Sequence, residues 1–115
     1  MRSYQIEDLS HADGETLQAA LRDLGLAGSI DGIFYLPVPH DLLDAEQCEH
    51  LDSCGPFFMP LEVIEGPERT MLKLELLVRA RQILRCSCVH YAPPALRNHM
   101  IDYLDCLLED LDVRV

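Results

Sequence analysis

The run Cys86-Ser87-Cys88-Val89-His90 sets two thiols and an imidazole at period-two spacing, which in an extended strand would place all three on one side. Thiolate and imidazole are the ligands zinc prefers. A second set, Glu46, His50 and Cys54, is spaced four residues apart and would share one face of a helix, with Cys48 on another face. Together these segments offer Cys54, Cys86, Cys88 and either His50 or His90 as a tetrahedral metal site. Neither Cys-x-Cys nor Cys-x5-Cys is the paired Cys-x2-Cys of common structural zinc sites. The same cysteines also suit a core, because reduced cysteine behaves as a small hydrophobe and here continues a row of inward leucines. Zinc is therefore the candidate cofactor, and core packing is the competing role for the same thiols.

Other trios carry less. His99, Asp102 and Cys106 fall at i, i+3 and i+7 of a C-terminal helical segment, with no second element known to face them. His11 and His40 precede helical segments and suit turn or capping roles. There is no glycine-rich phosphate loop, no Gly-x-Ser-x-Gly elbow, no His-Glu-x-x-His and no dense aspartate loop for calcium. No catalytic residue is assigned, and the sequence leans away from an enzyme.

The elements that must position these residues follow from periodicity. A strand is expected over Ser3–Asp8, and a helix opening at Asp13-Gly14 with its stripe at Leu17, Ala20, Leu21 and Leu24, closed by Gly25. A strand follows over Ile30–Leu36, then a short helix over Ala45–Cys54 with capping-box spacing between Asp44 and Gln47. A three-strand antiparallel meander is expected next: Phe57–Ile64, then a strand with Leu72, Leu74, Leu76 and Val78 on one face, then one with Leu84, Cys86, Cys88 and His90 on one face. Pro93-Pro94 begins a last helix reaching about Leu111, with Leu96, Met100, Tyr103, Leu104, Leu107 and Leu111 as its core stripe. The fold class is α+β: a two-layer sandwich with a mostly antiparallel sheet of about five strands and two main helices on one face.

The 115 residues read as one domain, 1–115, and with 49% hydrophobic residues they can build a core without staples. The five cysteines form an odd set with no secretory signal, so reduced thiols in a cytoplasmic protein are expected. A net charge of −11 opposes duplex nucleic acid and anionic membranes as partners. That charge is unevenly spread: residues 69–85 carry five basic side chains against Glu75 alone. Lys73, Arg79 and Arg85 are expected on the outer sheet face beside Leu77 and Ile83, with Ile101 and Leu108 widening the apolar stripe of the last helix. These seven residues form the expected interaction surface, because contiguous apolar patches on monomers are seldom left wet. The sequence thus favours a small acidic interaction or regulatory module, homodimeric and binding a protein partner through the sheet face or last helix. A zinc-binding protein is the alternative.

Overall fold

A computed structural model describes residues 2–114. The strands are β1 (Ser3–Leu9), β2 (Ile33–Pro37), β3 (Phe57–Glu65), β4 (Thr70–Glu75), β5 (Leu77–Ala80) and β6 (His90–Tyr91). The helices are α1 (His11–Asp23), α2 (Ala45–Glu49) and α3 (Pro94–Asp110), with a 3-10 turn at His40–Leu42. The sheet is antiparallel throughout: β3 lies at its centre, β2 runs along one edge of β3, and β4 and β5 follow one another along the other. Outside them, β1 pairs with β4 and β6 pairs with β5.

Burial alternates without a break from Thr70 to Ala80, so β4 and β5 are one extended segment in which every second side chain enters the core. The segment divides at Leu76 because its outer neighbour changes there. The Leu76 N–H donates to the Arg2 carbonyl at 3.0 Å, and the Leu76 carbonyl accepts from the Ala92 N–H at 2.9 Å. In β1 a bulge between Ile6 and Leu9 turns Leu9 into the core opposite Thr70.

Helix α1 begins at Ser10, whose hydroxyl accepts the Asp13 N–H, and ends in a Schellman motif. There Gly25 sits at φ +75°, with its N–H on the Arg22 carbonyl and the Leu26 N–H on the Leu21 carbonyl. Leu17 and Leu21 are buried, whereas Leu24 is the C-cap and faces solvent. Along α3, Leu96, Met100, Leu104 and Leu108 form a fully buried stripe at four-residue spacing. Both helices share one apolar core with Phe34, Leu36, Met59, Leu61, Leu72 and Leu74. The result is an α+β fold with two main helices over an antiparallel sheet.

Three sequence expectations are corrected. The third strand of the meander is only His90–Tyr91; Leu84–Val89 is a loop, and Leu84 is 76% exposed rather than inward. The apolar faces of the last two meander strands, if they coincided, would set Val78 opposite Leu84, but the register sets Val78 opposite His90. Leu108 is 1% exposed and cannot belong to an interaction surface, and Ile101 packs partly against the same core. Lys73, Leu77 and Arg79 do lie on the sheet face away from the helices, half-buried, while Ile83 and Arg85 are exposed in the loop.

Candidate metal centre

Two short segments build the centre. In the first, Asp44 caps α2 through a capping box: its carboxylate accepts the Gln47 N–H at 2.8 Å, and the Gln47 side-chain oxygen accepts the Asp44 N–H at 3.1 Å. The helix stops sooner than its spacing suggests, with His50 as C-cap. One further turn survives, closed by the Cys54 N–H on the His50 carbonyl at 2.7 Å, so the four-residue spacing still brings both side chains to one side. Gln82 fixes this turn from across the chain. Its backbone N–H donates to the Cys54 carbonyl at 2.9 Å, and its side-chain amide to the carbonyls of Asp52 and Gly55.

The second segment is the Cys86-Ser87-Cys88 loop, closed by the Val89 N–H on the Cys86 carbonyl at 3.0 Å. Helix α2 grips it at two points. The Ser87 hydroxyl donates to the Glu46 carboxylate, and the Gln47 side-chain amide, buried to 1% exposure, donates to the Cys88 carbonyl.

These supports bring one nitrogen and three sulfurs, from His50, Cys54, Cys86 and Cys88, to within 4.8 Å of one another. His50 Nδ1 lies 3.3 Å from Cys86 Sγ and 3.7 Å from Cys54 Sγ. A tetrahedral zinc ion with Zn–S of about 2.3 Å and Zn–N of about 2.0–2.1 Å would separate its ligands by about 3.8 Å (S···S) and about 3.6 Å (S···N). The cluster is geometrically capable of coordinating a metal ion such as zinc.

Cys54 and Cys88 are buried, while Cys86 and His50 are half-buried at the mouth. The thiols differ electrostatically. The Cys88 backbone N–H, followed by the Cys88 thiol, holds the Cys86 thiol below its ordinary value. Burial, and then the neighbouring Cys86 and Cys54 sulfurs, push the Cys88 thiol up. The loop thus presents one thiol disposed to ionise beside one that resists ionisation without a cation.

His90 lies outside this set. Its Nε2 is 2.8 Å from the Asp44 carboxylate and 3.3 Å from the Gln47 amide nitrogen, so it joins the network behind α2. Between the two histidines the sequence left open, His50 is the one beside the sulfurs. Cys48 and Cys106 are exposed and apart from the cluster, and His11 Nε2 sits 2.9 Å from the Gly66 carbonyl. Spacing had grouped Glu46 with His50 and Cys54 but not as a support for the loop, and it missed Gln47, although the capping box had already marked Gln47 as a residue with a side chain turned back on the chain.

No protein-family model matches the chain, and neither a curated protein nor a solved structure matches it.

Proposed function

We propose that this chain is a zinc-binding protein in which His50, Cys54, Cys86 and Cys88 hold one structural ion. The carrying observation is the convergence of four ligand atoms from two segments more than 30 residues apart in sequence, with separations close to those of a tetrahedral shell. Core packing alone explains buried cysteines, but gives no reason for an imidazole nitrogen to turn toward three sulfurs. A structural role is favoured over a catalytic one because a catalytic zinc keeps an open position beside three protein ligands, and here the protein supplies four. The ion would join the α2 turn to the loop that feeds β6.

The test is native mass spectrometry with elemental analysis of protein purified without a metal-affinity tag. One zinc per chain is expected, falling in Cys54→Ser, Cys86→Ser, Cys88→Ser and His50→Ala and retained in His90→Ala. A folded chain that takes up neither zinc nor cobalt, or one whose cysteines are paired as a disulfide, overturns the reading.

A further inference from the structure

The three sulfurs of the cluster differ in their access to solvent. Cys54 is 4% exposed and Cys88 0%, whereas Cys86 is half-buried and stands between Arg85 and Ser87, both of them exposed. The chain leading to it is open to solvent from Arg81 to Arg85. A reagent arriving from solvent therefore meets the Cys86 sulfur first. Behind it lie the other two sulfurs, all three within 4.8 Å of one another. The protein's own hydrogen bonds hold this arrangement: Gln82 pins the 52–55 turn, while Glu46 and Gln47 pin the Cys86-Ser87-Cys88 loop. The inner sulfurs thus stay within reach when the outer one reacts.

We infer that Cys86 is a site of oxidation by hydrogen peroxide, and that its bonding to a buried neighbour, Cys54 or Cys88, couples peroxide to release of the ion. The inference rests on the zinc reading above and adds a regulation of the same site. A cysteine held by a cation is a thiolate, the form that attacks peroxide. The Cys86 sulfur attacks one peroxide oxygen, so that an S–O bond forms and the O–O bond breaks. The departing hydroxide takes a proton to become water, and the sulfur, oxidised by two electrons, is left as a sulfenic acid. The Cys54 or Cys88 thiolate then attacks that sulfur. The S–S bond forms as the S–O bond breaks, and the second hydroxide leaves and takes a proton as water. In sum, two thiolates, one peroxide and two protons give one disulfide and two waters. His50 and a single thiolate then remain where a closed structural zinc site needs four ligands, and the ion leaves.

The test treats the zinc-loaded full chain, freed of reductant, with a small excess of hydrogen peroxide. Released zinc is followed with a chromophoric indicator, and the cysteines are followed by peptide mass spectrometry after alkylation. One zinc per chain is expected to appear at the rate at which a disulfide joins Cys86 to Cys54 or Cys88, with a mass lower by two hydrogen atoms. A thiol reductant with added zinc is expected to restore the loaded form. Cys48 and Cys106 are exposed and outside the cluster, so Cys48→Ser/Cys106→Ser is expected to release zinc at the wild-type rate. Zinc retained in peroxide, zinc lost while Cys86 is still a free thiol, or Cys86 carried on to a sulfinic acid without a disulfide overturns the inference alone. A chain that holds no zinc before peroxide is added overturns the zinc reading and this inference together.

Discussion

The Gln47 side-chain amide donates to the Cys88 carbonyl oxygen at 3.1 Å, so the helix that ends at His50 also holds the loop carrying two of the sulfurs. Gln47→Ala removes this hold and leaves the Cys88 carbonyl without that donor. Groups that orient metal ligands in this way contribute tenfold to a hundredfold in affinity. Zinc affinity, measured by competition with a chromophoric chelator, is therefore expected to fall by about that factor. An unchanged affinity would show that the loop holds its shape without α2.

Chelation is expected to open one region before the rest. The core of β3, β4, α1 and α3 is apolar and meets the cluster only through Cys54, Cys88 and the partly buried Cys86, whereas the 81–89 loop is tied down by Gln82, Gln47 and the sulfurs. Removing zinc from a site bathed in free metal a thousandfold above its Kd costs about 4 kcal/mol of stability by mass action. Hydrogen exchange should register the change first at the Val89 and Gln82 amides, with protection in β4 retained. Simultaneous loss of protection across the sheet would instead place the ion at the root of the whole fold.

Much of the fold was legible because its signals are local. The Asp44/Gln47 spacing predicted a capping box, Gly25-Leu26 a glycine cap, and the even-numbered residues from Leu72 to Val78 an inward row. The loop from Leu84 to Val89 was misread for an equally physical reason. Cys86 and Cys88 alternate with polar neighbours, and period two records only which residues turn inward, not whether the backbone between them is extended. Here Ser87 and Gln47 curl the backbone so that both sulfurs turn toward His50, a relationship that no spacing rule contains. The choice between His50 and His90 depended on the same tertiary contacts, since Asp44 engages His90 from 46 residues away.

The Tyr4 hydroxyl donates to the Asp105 carboxylate at 2.7 Å, linking β1 to α3. Burial first, and then the hydrogen bond and negative charge of Asp105, raise the Tyr4 pKa to about 12 from its ordinary value of 10.0. A raised folded pKa means that the stabilisation is fully present below pH 10 and is lost as pH rises through 12. Absorbance of tyrosinate is expected to show one late-titrating group, absent in Tyr4→Phe. The variant's stability should fall less steeply than that of the wild type across the same window.

Two apolar residues seven apart on α3 should respond differently to truncation. Leu108 is 1% exposed inside the core, so Leu108→Ala is expected to cost about 2–5 kcal/mol in urea unfolding. Ile101 is only partly covered, and Ile101→Ala should cost distinctly less. Equal losses would mean that the helix is rotated relative to the arrangement described.

The approach of α1 to β4 is set by Gly14, which is buried against Thr70. A Cβ at position 14 would lie 2.9 Å from Thr70 Cγ2 and 3.1 Å from Thr70 Oγ1, both attached to a side chain that is itself fully buried. Replacing a helical glycine by alanine ordinarily gains about 1 kcal/mol. Here Gly14→Ala is expected to destabilise, because the helix must lift from the strand or the threonine must shift within a packed core. Among the described residues Thr70 Oγ1 also has no hydrogen-bond partner although it is buried, a condition that costs about 1–3 kcal/mol. Thr70→Val keeps the shape and removes the unpaired hydroxyl, so it should be neutral or stabilising in the same urea titration. A stable Gly14→Ala protein, or a Thr70→Val protein weakened by more than about 1 kcal/mol, would mean that the hydroxyl has a partner and the helix has room.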